Sequence, residues 1–173
     1  MRVDAPRVSP FAKPWCWYLL ATSFAAVDQL TKLAVSTLMP YGQNIPLTGF
    51  FNLVHVWNTG AAFSFLADAG GWQRYFFIVI AFGVSIVLVI MLRMPRPSAE
   101  ALGYSLVLGG ALGNGFDRFA RGYVVDYLDF FWKNWHWPAF NLADCGLVLG
   151  VFLLVLNSFR ATKEQPRTAQ GLP

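Results

Sequence analysis

Charged residues are scarce in this sequence. Asp, Glu, Lys and Arg together make up 13% of the 173 residues, against about 25% in an ordinary soluble domain. Hydrophobic residues reach 56% and aromatic residues 17%. A soluble domain of this length has too much surface for its volume to bury so much apolar material, and disordered chains are poor in apolar residues. The composition therefore excludes both classes and indicates an integral membrane protein.

The residue types that several kinds of site need are also few. The two cysteines, Cys16 and Cys145, lie far apart in apolar stretches, which favours small buried side chains over a disulfide or a zinc site. The two histidines, His55 and His136, belong to no His-Glu-x-x-His motif, and the sequence has no Gly-x-Ser-x-Gly motif. A zinc protease and a serine hydrolase therefore have no support, and we predict no metal or other cofactor.

Four apolar segments approach the length of about 20 residues that a membrane-spanning helix needs. The predicted spans are 15–39, 73–92, 99–118 and 140–159. Residues 1–160 are predicted to form one domain, and residues 161–173 a polar, disordered tail. A cleaved signal peptide also fits the basic N-terminus and the first apolar run loosely, but we favour a retained first helix.

The positions of Lys and Arg predict how the spans are oriented. They cluster in the N-terminal tail, in the link at 93–96 and in the C-terminal tail, whereas residues 40–72 contain none. Because cytoplasmic loops are enriched in these residues, both termini are expected in the cytoplasm. The same clustering beside apolar runs argues against nucleic-acid binding, despite a net charge of +4. The two outer loops are rich in β-branched and aromatic residues, which favours a small sheet at the outer membrane surface.

Several polar residues lie inside the predicted spans, where they are unfavourable unless they are paired or functional. Asp28 and Lys32 are four residues apart on one helix face, so they either pair with each other or contact a substrate. Asn114, Asp117 and Arg118 also share a face. Asp117 and Arg118 are expected to stabilise the outer end of the third span.

Glycines mark two further features. Gly109 and Gly113 in the third span, and Gly146 and Gly150 in the fourth, are spaced as in small-xxx-small faces, which predicts close helix packing. The segment 58–62 (NTGAA) indicates either a tight turn of the outer sheet or a substrate contact.

Asp126 and Asp144 have different sequence surroundings. Asp126 follows two valines, and its nearest basic residue is Arg121, whereas Asp144 stands three residues after Asn141 near the start of the fourth span. That spacing is typical of a capping box, in which Asp144 would have a structural role. The chain between the two aspartates is also long enough to fold back and bring both carboxylates to the outer membrane boundary.

Two carboxylates at one site share a proton, because both ionise together only at a high energetic cost. The ionised member takes a proton from a bound water, and the protonated member donates to the carbonyl oxygen under attack. This chemistry hydrolyses a peptide bond without a metal or a covalent intermediate. A proton-coupled transporter would use the same acids as a relay, but the repeated halves expected of it are missing. A four-span scaffold leaves the polar motifs without a role.

Five segments, in order, resemble the motifs of the lipoprotein signal peptidases, the bacterial signal peptidase II family. They are 28–32 (DQLTK), 58–63 (NTGAAF), 113–118 (GNGFDR), 124–127 (VVDY) and 140–144 (FNLAD). The resemblance covers about residues 15–160. It implies a membrane α-helical fold with four transmembrane helices, a small periplasmic β-sheet cradle and a short periplasmic flap helix.

The resemblance also implies an aspartic endopeptidase of the bacterial cytoplasmic (inner) membrane. Such an enzyme removes signal peptides from diacylglyceryl-modified prolipoproteins by cutting before the lipidated cysteine. By their match to the family's motifs, Asp126 and Asp144 are the expected catalytic residues. The expected substrate-binding residues are Asn58, Asn114, Arg118 and Asn141, and the supporting residues are Asp28, Lys32, Gly60 and Asp117. The expected partners are prolipoprotein substrates, membrane lipid and the inhibitor globomycin, and the expected state is a monomer.

The segment 66–72 contains two adjacent glycines, Gly70 and Gly71. Glycines of this kind are suited to a hinge between a loop and a helix. We therefore hypothesise a flap here, or just before it, that closes over the substrate.

Overall fold

Four long helices and one small sheet make up the fold. The computed structural model describes residues 13–60, 66 and 69–164, with side chains described as far as residue 159. The helices are α1 (Pro14–Leu38), α2 (Trp72–Leu92), α3 (Ser98–Ala120) and α4 (Leu142–Glu164). They coincide with the four predicted apolar segments. The apolar stretch of α3 lies between Glu100 and Asp117, and the helix extends beyond both of these residues.

α3 is the central helix of the bundle. It packs against α1, α2 and α4, which contact one another far less. Glycines allow this close approach: a Cβ atom at Gly109 would lie 2.8 Å from the carbonyl oxygen of Ala21 in α1. A Cβ at Gly110 would lie 2.5 Å from the carbonyl oxygen of Ala143 in α4. The glycine faces predicted from the sequence are therefore sites of helix packing.

The outer surfaces of α2 and α4 are strongly apolar. Both helices are long and apolar enough to cross a membrane, and only 17% of the most apolar stretch of each is buried within the protein. Val79, Phe82 and Val148 are 68–72% exposed, and an apolar surface of this extent needs a cover other than water. Among the described helices, α1 and α3 do not meet the same measure of length and hydropathy, and both carry buried charged side chains. A bundle with four spans therefore stays a prediction.

The sheet has four antiparallel strands in the order β1-β2-β3-β4. The strands are β1 (Asn44–Pro46), β2 (Phe51–Asn58), β3 (Val124–Trp132) and β4 (Trp135–His136). The expectation that both outer loops contain strands is thus confirmed. β2 and β3 pair with Val56 opposite Asp126, and the register shifts between Leu53 and Val56. Such a shift is typical of a β-bulge, which redirects neighbouring side chains.

Contacts between α1 and β3 hold the sheet against one end of the bundle. Val35 and Met39 of α1 form a buried cluster with Val125 and Tyr127 of β3. The chain passes from α3 into β3 through Gly122, whose φ of +88° lies in the left-handed region that suits glycine. The start of β3 therefore lies beside the last turn of α3.

The hypothesised flap falls largely outside the described residues, since positions 61–65, 67 and 68 are not described. The short flap helix implied by the family resemblance lies outside them for the same reason. α2 begins directly after Gly70 and Gly71, which have φ angles of +78° and +99°. At the other end of the chain α4 continues to Glu164, and the rest of the predicted tail lies outside the described residues.

Close packing of α3 against α4 predicts a large difference between two glycine substitutions. Gly110→Ala should destabilise the protein by about 1–3 kcal/mol, because overpacking forces the backbones of two helices apart. Gly83→Ala is the control, since a Cβ at Gly83 in α2 meets nothing within 4 Å. That change should leave thermal stability equal or slightly higher, because alanine favours helix. Melting of the two variants in detergent checks this, and equal midpoints would contradict the packing role.

Candidate active site

Asp126 is delivered to the site by β3 and is almost fully buried, with 2% of the residue exposed. Its Oδ1 accepts a hydrogen bond from Asn141 Nδ2 at 2.6 Å, and its Oδ2 accepts one from Asn58 Nδ2 at 3.0 Å. Asn58 lies at the end of β2, on the neighbouring strand. Two amides from different elements therefore hold both oxygens of this carboxylate.

Asp144 is the third residue of α4. Its backbone N–H donates to Asn141 Oδ1 at 3.0 Å, and its own Oδ2 accepts from the backbone N–H of Asn141 at 3.2 Å. This reciprocal pair is a capping box, so the structural interpretation of the spacing is confirmed. The remaining oxygen, Oδ1, accepts from Asn114 Nδ2 at 2.7 Å. Capping therefore leaves Asp144 within the polar site, where its Oδ1 faces Asn114.

Asn141 brings the two aspartates together. It bonds Asp126 through its side-chain nitrogen and Asp144 through both its backbone N–H and its side-chain oxygen. The chain returns to this point because Phe140 pairs with Leu128 in an isolated antiparallel bridge. Both carboxylates are thus hydrogen-bonded to one residue, Asn141. The chain between the two aspartates folds back, as expected from the sequence.

A buried ion cluster lies behind the pair. Lys32 Nζ is 2.8 Å from Asp28 Oδ2 and 2.9 Å from Asp117 Oδ2, and all three side chains are fully buried. The expected pairing of Asp28 with Lys32 is thus confirmed. Asp117 also pairs with Arg121, which brings the cluster to two acids and two bases. Because buried charges are tolerated only when they are paired, this balance is what allows the cluster to exist inside the protein.

Asn114 connects the ion cluster to Asp144. Its Oδ1 accepts from Lys32 Nζ at 2.8 Å, while its Nδ2 donates to Asp144 Oδ1 at 2.7 Å. An ammonium group can only donate, so Lys32 fixes which end of the amide faces Asp144. Asp28 makes a second connection between the ion cluster and the start of α4, because its Oδ1 accepts from the backbone N–H of Ala143 at 2.8 Å.

Arg118 contacts the turn that follows β2. Its Nη2 donates to the carbonyl oxygen of Gly60 at 2.6 Å, and its guanidinium carbon lies 4.9 Å from the centre of the Phe77 ring. The backbone N–H of Gly60 donates to Asn58 Oδ1 at 3.0 Å, which shows a turn at residues 58–60, while the rest of the predicted turn segment 58–62 lies outside the described residues. Among the described residues, Arg118 Nε is the buried side-chain donor that has no hydrogen-bond partner.

Burial dominates the electrostatics of Asp126. Burial, and then the nearby Asp144 carboxylate, raise the pKa of Asp126 to about 7, although the hydrogen bonds from Asn58 and Asn141 act in the opposite direction. A pKa raised this far allows Asp126 to stay protonated near neutral pH beside a second carboxylate. No group of three or more His, Cys, Asp or Glu residues within the described part of the chain is arranged to hold a metal ion.

Two residues of the site were given no role from the sequence, although both lie within the motif segments, Gln29 in 28–32 and Tyr127 in 124–127. Gln29 donates to the Gly113 carbonyl oxygen at 3.0 Å and to Asp117 Oδ1 at 3.1 Å. Tyr127 accepts from the backbone N–H of Leu142, the first residue of α4, at 3.2 Å. The available signal was their place in those segments, each directly beside a predicted site residue.

Two solved structures, both described as bacterial membrane enzymes, have this fold. One is 29% identical and superposes with a TM-score of 0.79 over 91% of this chain and 95% of its own. The other is 30% identical, with a TM-score of 0.72 over 84% of this chain and 94% of its own. The helix bundle, its apolar outer surface and the buried acidic site therefore define a membrane enzyme.

The family model for signal peptidase (SPase) II matches residues 20–160. The lipoprotein signal peptidase of Serratia marcescens is 52% identical over 165 residues, which is 94% of each chain. That of Aeromonas hydrophila is 51% identical and covers 89% of this chain and 93% of its own. The chain belongs to the signal peptidase II family, whose members remove signal peptides from prolipoproteins. The resemblance seen in the sequence motifs is thereby confirmed.

Removing the central cation of the ion cluster should be strongly destabilising. Lys32→Met leaves Asp28 and Asp117 buried with less positive charge beside them, and breaking a buried pair in this way costs about 3–5 kcal/mol. Lys13→Met is the matched control, because Lys13 is exposed at the start of α1. Thermal unfolding in detergent should show a much lower midpoint for the first variant and an unchanged one for the second. Equal midpoints would argue that the cluster does not contribute to stability.

Proposed function

We propose that this protein is an aspartic endopeptidase that removes signal peptides from diacylglyceryl-modified prolipoproteins, cutting before the lipidated cysteine. The observation that carries the proposal is the bridging of two carboxylates, the buried Asp126 and the half-buried Asp144, by the single residue Asn141. Family membership supports the substrate class, and the pairing of the two acids through Asn141 supports the catalytic type.

The surroundings of the two acids favour different protonation states. Asp126 receives hydrogen bonds from neutral amides, and its raised pKa of about 7 keeps a proton on it below that pH. Asp144 lies in the first turn of α4, where the helix dipole favours an anion. We therefore assign Asp126 as the acid and Asp144 as the base of the pair.

Hydrolysis follows from this assignment. Asp144 takes a proton from a water molecule whose oxygen attacks the carbonyl carbon of the scissile bond, while Asp126 gives its proton to the carbonyl oxygen. In the resulting gem-diol, Asp126 regains a proton from one hydroxyl as the carbonyl forms again. The C–N bond breaks, Asp144 delivers its proton to the leaving nitrogen, and both aspartates return to their initial states.

Asn58, Asn114, Arg118 and Asn141 are proposed to hold the substrate peptide. Arg118 has an N–H donor, at Nε, without a partner among the described residues, and a peptide carbonyl oxygen would satisfy it. The supporting residues Asp28, Lys32, Gly60 and Asp117 act through the residues they bond, since the three charged side chains are fully buried. Globomycin is expected to inhibit by occupying the same site.

The proposed location is the bacterial cytoplasmic (inner) membrane, with four spans, both termini in the cytoplasm and the protein acting as a monomer. The sheet and the acid pair lie at the end of the bundle where α1 and α3 end and α2 and α4 begin. The opposite end carries the basic α2–α3 link, in which Arg96 pairs with Glu100 at 2.5 Å. This distribution supports a site at the periplasmic boundary.

Neutral substitutions of the two acids test the catalytic assignment. Asp126→Asn and Asp144→Asn should each lower kcat by at least about a thousandfold, because removing one member of a catalytic unit disables the whole unit. Cleavage of a diacylglyceryl-modified prolipoprotein by folded, detergent-purified protein measures this. Asp129→Asn is the matched control in the same strand, where Asp129 bonds Asn52 and His136. It should keep turnover within a few-fold of the wild type.

Near-normal turnover by either folded Asn variant at the pair would refute the proposed mechanism. Failure of the wild-type protein to cleave the lipid-modified substrate would refute the proposed activity itself. Equal cleavage of the same precursor without its diacylglyceryl group would remove the lipid requirement alone.

The pH dependence of kcat/KM should show a falling upper limb near pH 7. Because burial and Asp144 raise the pKa of Asp126 to about 7, this acid is protonated below that pH and loses its proton above it. The rate should approach a tenfold fall for each pH unit beyond the limb, since the proton needed at the carbonyl oxygen is gone. A profile measured from pH 5 to 9 checks this. A flat profile through pH 9 would show that Asp126 is not the acid, and Asp129→Asn should keep the wild-type limb.

A further inference from the structure

The N-terminus of α4, which carries Asp144, is held by three separate acceptors. The backbone N–H of Leu142 donates to the Tyr127 hydroxyl at 3.2 Å, that of Ala143 donates to Asp28 Oδ1 at 2.8 Å, and that of Asp144 donates to Asn141 Oδ1 at 3.0 Å. The first N–H groups of a helix have no partner within the helix. Here two of the three acceptors come from other elements, β3 and α1, and the third comes from Asn141 directly before the helix, so the position of this turn is fixed from several directions.

Tyr127 is the acceptor that comes from the strand of the other aspartate. It directly follows Asp126 in β3, and successive residues of a strand point to opposite faces. Asp126 faces Asn58 and Asn141, whereas the Tyr127 hydroxyl faces Thr31 of α1 and the start of α4. Tyr127 is 6% exposed and lies behind the acid pair. It is therefore placed to act on the geometry of the pair rather than on the substrate.

The hydrogen bonds through this hydroxyl have one direction. Thr31 Oγ1 donates its one proton to the carbonyl oxygen of Asp28 at 2.8 Å. In its 2.9 Å contact with the Tyr127 hydroxyl, Thr31 Oγ1 is therefore the acceptor. Tyr127 gives its proton to Thr31 and accepts from the backbone N–H of Leu142. Burial raises the pKa of Tyr127, so the hydroxyl keeps the proton that this chain of bonds requires.

We propose that Tyr127 is a positioning residue that sets Asp144 against Asp126, by tying the first N–H of α4 to the strand of Asp126 and, through Thr31, to α1. This inference rests on the proposed function of the two aspartates. The mechanism requires Asp144 to reach the attacking water while Asp126 reaches the carbonyl oxygen, and small errors in such geometry lower the catalytic rate strongly. Loss of the hydroxyl frees the start of α4 on the side facing β3, which affects turnover more than substrate binding.

Tyr127→Phe tests the role of the hydroxyl alone. The variant should lower kcat by about threefold to tenfold, which corresponds to the usual net value of one hydrogen bond, with KM nearly unchanged. Tyr18→Phe is the matched control: the Tyr18 hydroxyl donates to the Val89 carbonyl oxygen at 2.8 Å between α1 and α2. The control loses a comparable interhelix bond without touching α4, so its kcat should stay within twofold of the wild type.

Substitutions of Thr31 test the chain of hydrogen bonds. Thr31→Val should lower kcat as Tyr127→Phe does, because it removes the acceptor that orients the tyrosine hydroxyl. Thr31→Ser keeps that acceptor and should restore kcat to within twofold of the wild type. The double variant, Thr31→Val with Tyr127→Phe, should be no slower than the slower single variant, since residues acting through one bond network are not additive.

Several outcomes would overturn the positioning role. These are a kcat of Tyr127→Phe within twofold of the wild type, a rise in KM without a fall in kcat, and an equal kcat loss in Tyr18→Phe. If Tyr127→Phe does not fold, equal kcat values for Thr31→Val and Thr31→Ser overturn the proposal instead. Failure of the proposed function is distinguishable, because it would appear as retained turnover in Asp126→Asn or Asp144→Asn. Failure of the Tyr127 role leaves those two variants inactive.

Discussion

The Lys32 ammonium group is the interaction on which the rest of the site depends. It is fully buried and bonds Asp28 of its own helix together with Asp117 and Asn114 of α3. Because an unpaired charge inside a protein is very unfavourable, α1 and α3 have essentially one relative rotation that satisfies it. That rotation also places Gly113 against Asp28, where a Cβ would lie 2.5 Å from a carboxylate oxygen. Charge pairing and small side chains thus require the same packing.

The two aspartates differ because different kinds of structure supply them. Asp126 comes from a strand and is surrounded by neutral amides, whereas Asp144 comes from the first turn of a helix. A strand contributes little net dipole, while a helix N-terminus contributes partial positive charge. One acid pair thereby receives two unlike electrostatic environments without a metal ion taking part in the proposed chemistry. Asn141 belongs to both environments, since it caps the helix and bonds the strand carboxylate.

Local spacing in the sequence predicted the local parts of this site. The four-residue separation of Asp28 and Lys32 gave their ion pair, and the separation of Asn141 and Asp144 gave the capping box. The apolar segments predicted the helices, and the loops rich in β-branched and aromatic residues predicted the sheet. Contacts between elements were not predictable in this way. The bond from Lys32 to Asn114 depends on how α1 is rotated against α3, which no spacing within one helix determines.

The same limit explains why Gln29 and Tyr127 were not identified from the sequence. A polar residue beside an essential one looks the same whether it points into the site or away from it. Family motifs supplied what spacing did not, because five ordered segments are far more specific than any one of them. The proposed catalytic roles of Asp126 and Asp144 rest on that resemblance together with the geometry around Asn141.

The Asp28–Lys32 pair has a consequence for the order in which the chain is made. α1 leaves the ribosome long before α3 and α4, and domains assemble progressively from the N-terminus during synthesis. During that interval the later partners of Lys32, Asp117 and Asn114, do not yet exist. An acid and a base four residues apart leave the newly made helix without net charge between Pro14 and Leu38. Within the newly made helix, Asp28 therefore serves as the counterion of Lys32 until α3 packs against α1 and its side chains replace the surroundings of the lysine.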